Sequence, residues 1–284
     1  MTNHDEKPIL VVGARGMTGG RVARLLREGG YEVRAASRSA EWTFDWRDRS
    51  TWDGVLEGAG SMYLVQYDPE PLAPAFIERA ARMGVERVVL LSAYGADQPG
   101  YFEAMDFPPI HLLGEAAVRA TEMEWTLLRP GWFAQNLSEG LLMEGVREGV
   151  LRLPTGQGRV SWIDTDDIAE VAVAALTGSG HHGRIYELSG AEALTLDETV
   201  RAISAVLGSP VRYEALSVEE YVADRLAAGW SRQDAHVMAA ALSPIPRGLE
   251  GRSAPGVRDA LGRAPTGFGT FARKAFTRPP WQQG

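Results

Sequence analysis

Short apolar runs alternate with helical stretches along the first half of the chain. Ile9-Leu10-Val11-Val12 is an apolar run of strand length, and an amphipathic pattern follows it from about Thr18 to Glu28. Tyr31–Ser37, Ser61–Gln66, Val85–Ala93, Glu124–Pro130 and Arg184–Gly190 read as further strands, with a helix over Pro69–Gly84. Strands separated by helices imply right-handed βαβ crossovers and a parallel sheet. Past residue 130 the alternation fades. Residues 194–208 and 217–230 read as helices, and the tail from Ser243 is rich in Pro, Gly and Arg. The expected architecture is α/β: a Rossmann-type doubly wound parallel sheet over residues 1–130, then a smaller, mostly helical substrate lobe over 131–284. From that lobe, 184–190 is expected to return to the sheet. The lobe should sit over the carboxyl edge of the strands, where such folds bind ligands, with Ser217 to Arg247 acting as a lid.

The first strand runs into Gly13-Ala14-Arg15-Gly16-Met17-Thr18-Gly19. Strand, glycine loop and helix together build a phosphate cradle. The first glycine permits the tight turn, the second lets a diphosphate approach the backbone, and the third lets helix and strand pack closely. The spacing is G-x-x-G-x-x-G rather than G-x-G-x-x-G. The second strand ends Ala35-Ala36-Ser37-Arg38-Ser39, with no acid at its tip for a ribose 2′-hydroxyl. Arg38 offers a guanidinium that can grip a phosphate through two hydrogen bonds, and Arg15 adds charge from the loop. The expected cofactor is NADP(H).

Composition narrows the chemistry. The chain has 284 residues, a formal charge of −8 and no cysteine, which removes disulfides, cysteine metal ligands and a cysteine nucleophile. Its acidic balance argues against nucleic-acid partners. The N-terminus is polar, and no apolar run nears the roughly 20 residues of a membrane span. A cytoplasmic protein, monomer or homodimer, with a small-molecule substrate is expected. No metal is expected either: His181-His182 lies in a glycine-rich turn, and Asp164–Asp167 suits a helix start.

The segments VVGARGMTGGRVARLL, FDWRD (44–48), VERVVLLSAYGA, EWTLLRPGWFAQN (124–136) and DTDDIAEVAVAAL (164–176) resemble the atypical short-chain dehydrogenase/reductases. The likeness is to their NmrA-like and quinone-oxidoreductase-like branch, and it covers most of the chain. The resemblance implies an adenine contact at Asp45 and Trp46. It also implies cofactor-lining backbone at Gln66, Tyr67, Ser92 and Ala93. In class and size the chain further resembles the ketoreductases that tailor aromatic polyketides, that of simocyclinone biosynthesis among them.

One departure bears on mechanism. Most reductases of the superfamily carry Tyr-x-x-x-Lys on a helix, the tyrosine protonating the alkoxide left by hydride transfer. Lysine occurs here only at Lys7 and Lys274, and Ile110 and Gly114 fall where the pair belongs. Three readings remain: a reductase that takes its proton from His111, from Ser92 through water or from the substrate; a quinone reductase; and a non-catalytic, nucleotide-binding regulator. Ser92 and His111 are the catalytic candidates. Tyr94, Trp132, Phe133, Asn136, Tyr221 and Trp230 are the candidates for substrate contact. No single tyrosine is expected to carry proton transfer, the donor being water or a phenol on the substrate.

Loss of a charge-assisted contact costs roughly 1.5–3 kcal/mol. Arg38→Ala should therefore weaken NADPH by about 10- to 150-fold and leave NADH nearly unchanged. Fluorescence titration with both nucleotides measures this, and equal loss for both would remove the 2′-phosphate role.

Overall fold

The computed structural model of the chain describes residues 7–67, 69–102, 110–277 and 281. A seven-stranded, fully parallel sheet forms its centre. In chain order the strands are β1 (Ile9–Val12), β2 (Val33–Ser37), β3 (Trp42–Thr43), β4 (Ser61–Val65), β5 (Arg87–Leu91) and β6 (Glu124–Pro130). Arg184–Leu188 supplies the seventh, and the order across the sheet is β3-β2-β1-β4-β5-β6 and then this strand. Crossover helices connect them: α1 (Met17–Glu28), α2 (Trp52–Leu56), α3 (Ala73–Arg82) and α4 (Ile110–Arg119). The chain reverses direction across the sheet between β1 and β4, which opens a crevice at the carboxyl ends of those strands.

Side-chain alternation divides the sheet's residues between two cores. Leu10, Val12, Met62, Leu64, Val88, Leu90 and Leu127 pack with α2, α3 and α4 on one face. Ile9, Val11, Tyr63, Val89, Leu91 and Leu128 pack on the other. The near-continuous apolar runs in the sequence follow from this two-sided burial. The second face is covered by α1 and by α6 (Thr165–Thr177), which comes long after residue 130 in the chain. Between β6 and α6 lie α5 (Met143–Arg147) and the short strands Val150–Leu153 and Arg159–Val160.

The remaining elements build a third core. They are α7 (Leu196–Leu207), α8 (Val218–Ala227), α9 (Arg232–Leu242) and α11 (Phe268–Phe276), joined by Leu194–Thr195 and Arg212–Ala215. The helix α10 (Gly256–Leu261) instead returns to the sheet, where Val257 joins the α1–α6 core. Local capping places several boundaries. Thr195 with Glu198, and Ser217 with Glu220, form capping boxes that start α7 and α8. Asp164 caps α6, accepting from the Asp166 amide at 2.9 Å. Pro69 and Pro71 keep the stretch before Ala73 out of α3, whereas Pro74 is accommodated in its first turn.

The tightest packing of loop on helix occurs at Gly19. A β-carbon there would fall 2.3 Å from the Gly13 carbonyl oxygen, a backbone atom that cannot step aside. Gly19→Ala should lower stability by about 1–3 kcal/mol through this overpacking. Thermal unfolding of the variant beside wild type checks it, and an unchanged midpoint would mean that α1 can shift freely off β1.

Candidate active site

The glycine loop turns at Gly13, whose φ of 79° lies in the left-handed region. The Gly16 amide donates to the Gly13 carbonyl at 2.8 Å, and Gly16 starts α1 with no side-chain cap and no acid in the first turn. The helix start is thus open to an anion. Arg15 is exposed and donates to the Ser39 hydroxyl. Ser37, at the end of β2, holds a buried Oγ without a hydrogen-bond partner. Arg38 beside it is exposed and makes no hydrogen bond or ion pair with the other described residues. Trp46 sits edge-on against Phe44 at 5.0 Å and Phe76 at 5.4 Å, while the Asp45 carboxylate accepts from the Arg47 amide. The Arg47 guanidinium lies 5.5 Å from the centre of the Tyr67 ring.

From the Met17 end of this loop a cavity of about 330 Å³ opens under the lobe. Gln66, Ser92, Tyr94, His111, Trp132, Phe133 and Asn136 are among the residues that line it. Ala241 of α9 is the contribution of the expected lid segment to the lining. Of the sequence-predicted substrate residues, Tyr221 and Trp230 do not reach this cavity. Tyr221 is 2% exposed in the lobe core, because α8 turns that face inward, and the Trp230 ring lies under Arg225 at 5.7 Å.

The place of the missing lysine is filled. A β-carbon at Gly114 would fall 1.9 Å from Gln66 Oε1, so the Gln66 side chain occupies the space that a longer residue at 114 would need. Gln66 Nε2 lies 3.4 Å from both the Leu91 carbonyl and His111 Nδ1, while its buried Oε1 has no hydrogen-bond partner. From the sequence only the backbone of Gln66 was expected to line the site.

Behind Ser92 lies a buried carboxylate. The Ser92 hydroxyl donates to Glu115 Oε1 at 2.6 Å. Arg129 grips the same carboxylate through Nε at 2.8 Å and a terminal nitrogen at 2.7 Å. It also donates to Asp97. Arg119, one turn further along α4, approaches Glu115 at 3.2 Å. Burial pushes the Glu115 carboxyl up, but the hydrogen bonds from Arg129 and Ser92 outweigh it and hold the group below the usual carboxylate range.

A second buried acid was not singled out from the sequence. Glu250 is 6% exposed, borders the cavity and accepts from the Tyr101 hydroxyl at 2.8 Å. Burial pushes its carboxyl up to about 7, against the pull of the Tyr101 hydrogen bond and of the Arg252 charge. No motif marks it, because its partner is 149 residues away in the chain. Among the described residues no group of three or more His, Asp or Glu is placed to hold a metal ion. His181 pairs with the Tyr186 hydroxyl, and Asp167 is held by Arg263 and Thr266. No helix among the described residues is long and apolar enough to cross a membrane.

A family model described as NAD(P)H-binding matches residues 47–179. The chain is 34% identical over 279 residues to the uncharacterized oxidoreductase YesF of Bacillus subtilis (strain 168), with 94% of each chain covered. It is 38% identical over 224 residues to the (4-alkanoyl-5-oxo-2,5-dihydrofuran-3-yl)methyl phosphate reductase of Streptomyces griseus, covering 74% of this chain and 78% of the relative. The fold matches the triphenylmethane reductase of Citrobacter sp., solved in complex with NADP(H), with a TM-score of 0.73 at 22% identity. That match covers 94% of this chain and 99% of the other. The chain belongs to the same NAD(P)H-binding oxidoreductase family as YesF, and its fold is shared with triphenylmethane reductase and NmrA. It is an NAD(P)H-dependent oxidoreductase.

The residues present fit a dinucleotide. No side chain caps the start of α1 at Gly16, which leaves its first amides to a phosphate. The orphaned Ser37 Oγ and Gln66 Oε1 lie at the ends of β2 and β4, on the crevice edge of the sheet.

Removing one partner of a buried ion pair costs about 3–5 kcal/mol, because the other charge stays buried. Glu115→Ala should destabilise the protein by roughly that amount in denaturant unfolding near neutral pH. The folded-state pKa of Glu115 is depressed, so its contribution is complete above the unfolded value and is lost as pH falls through the folded one. The gap between wild type and variant should therefore narrow in acid, and a gap independent of pH would contradict the ion-pair account.

Proposed function

We propose that the chain is an NADPH-dependent reductase acting on a carbonyl of a bulky, aromatic small molecule of the kind found in tailored polyketides, without a Tyr-x-x-x-Lys pair. The observation that carries this reading is the cavity itself. It begins at the glycine loop, is walled by Tyr94, Phe102, Trp132 and Phe133, and gathers Gln66, Ser92 and His111 at one side. Broad apolar walls with a few converging polar groups suit a planar ligand. That a relative is named as reducing a substituted furanone phosphate supports a conjugated, carbonyl-bearing acceptor.

In this reading Gly13, Arg15, Gly16, Met17, Thr18 and Gly19 hold the diphosphate, and Ser37 with Arg38 the 2′-phosphate. Asp45 and Trp46 flank the adenine. Gln66, Tyr67 and Ser92 line the nicotinamide side. Bound NADPH supplies a hydride, and the chain's own groups orient the acceptor. Gln66 offers its unpartnered Oε1 where the family's lysine would stand. Ser92 directs its proton to Glu115, so it presents lone pairs to the cavity and positions rather than protonates. His111 turns Nδ1 toward the Gln66 amide, which orients its ring at the cavity wall. Tyr94, Trp132, Phe133 and Asn136 bound the acceptor.

A screen of NADPH oxidation against aromatic ketones, conjugated lactones and quinones tests the reading. Turnover with the carbonyl compounds is expected. Quinone turnover alone would reassign the chain as a quinone reductase. Tight binding of both redox forms with no turnover would make it a nucleotide-binding regulator.

A further inference from the structure

Among the titratable groups of the cavity, Glu250 is the one that the lobe brings to it rather than the sheet. Its own backbone carbonyl accepts from the Ser161 amide at 3.0 Å, which anchors the segment after Leu249. Its side chain is more than nine-tenths buried. Oε1 accepts from Tyr101, and Oε2 faces Gly131, where a β-carbon would fall only 3.3 Å away. Gly131 and Tyr94, which line the same cavity, flank this carboxyl. Tyr101 packs edge-on against Tyr94 with ring centres 5.9 Å apart, and the Arg252 guanidinium lies 5.0 Å from the Tyr94 ring centre.

We propose that Glu250 is the catalytic acid of the reduction, giving its carboxyl proton to the acceptor oxygen, and that Tyr101 is the residue that positions it. The proposal rests on the reductase reading above. In the step, hydride from NADPH adds to the carbonyl carbon and the C=O π pair moves to oxygen. That oxygen takes the proton from Glu250, leaving a carboxylate, NADP⁺ and the alcohol. Solvent at the cavity mouth then reprotonates Glu250, so one NADPH and one proton are consumed per carbonyl.

The chemistry favours this group over the other candidates. Ser92 already donates to a carboxylate held by arginine. Tyr94 and Tyr101 are pushed upward by burial, so neither is a ready acid. A carboxyl buried against Tyr101, with Arg252 as the neighbouring cation and His111 on the cavity wall, retains a proton near neutral pH and returns to the carboxylate once that proton is used.

The test uses the whole chain with NADPH and two acceptors: 9-fluorenone, a neutral aromatic ketone, and malachite green, a cation that hydride converts to a neutral product with no proton. A side-chain acid contributes about 10²–10⁴-fold. Glu250→Gln should lower the ratio of fluorenone to malachite green turnover by about that factor, with NADPH affinity retained. Wild-type kcat/KM for the neutral acceptor should fall as pH rises through about 7. In Tyr101→Phe that midpoint should move up, since the hydrogen bond that stabilises the carboxylate is gone. Infrared titration of the protein alone should show a protonated-carboxyl band that disappears in the same pH range and is missing from Glu250→Gln. An unchanged acceptor ratio, or a band that does not depend on Glu250, would overturn the assignment while leaving the reductase reading in place. Absence of NADPH oxidation with both acceptors in the wild type would overturn the two together.

Discussion

A single buried carboxylate holds the floor of the cavity in place. Glu115 has no exposed surface, yet it accepts from Ser92 and from two nitrogens of Arg129. Those donors come from the end of β5 and from β6, while Glu115 itself belongs to α4. Three elements that form the catalytic edge of the sheet are thereby tied at one point. A carboxylate so deep in the protein is tolerated only because its lone pairs are filled and its charge is met by a planar guanidinium. Once α4 is set by this pair, His111 and Gly114 on the same helix are set too, and with them part of the cavity wall.

Small residues then decide what the floor contains. At Gly114, where the Tyr-x-x-x-Lys expectation would put a lysine, the missing side chain leaves a hollow, and the amide of Gln66 fills it from just past β4. An amide can orient a hydroxyl or a carboxamide, but it cannot lower the pKa of a neighbouring tyrosine by charge. The consequence reaches the chemistry: the proton for reduction has to come from a different quarter of the site. The lobe provides a carboxyl there, made a credible acid by its burial beside Tyr101.

The lobe is not hung loosely over the sheet. Gln135, in the stretch that follows β6, donates to Asp164 at 2.6 Å and accepts from the Thr165 amide at 2.9 Å, so it grips the start of α6. The backbone pairs Ile163 with Trp132 and Ala134 with Ile163 in the same region. The aromatic wall formed by Trp132 and Phe133 is therefore continuous with the helix that covers the α1 face of the sheet. Arg247 adds a further tie, donating to the carbonyls of Gly100 and Tyr101. The cavity is thus framed by residues from both halves of the molecule.

What the sequence determined by itself was local and periodic. Apolar runs located the six long strands of the sheet, most plainly the central ones, which are buried on both faces. Gly13, Gly16 and Gly19 announced a tight strand-to-helix turn, because their spacing follows from the geometry of one strand, one loop and one helix. The absence of a lysine at 114 was equally plain. Tertiary structure alone decided which distant residues meet. Tyr221 looked like a pocket residue and became core, since a helix pattern does not say which neighbour its apolar face will find. The side chain of Gln66 entered the site because of a glycine on another element. Glu115 found Arg129, and Glu250 found Tyr101, across 14 and 149 residues of chain. No periodicity records such pairings; they exist because a closed fold must satisfy the polar groups it buries.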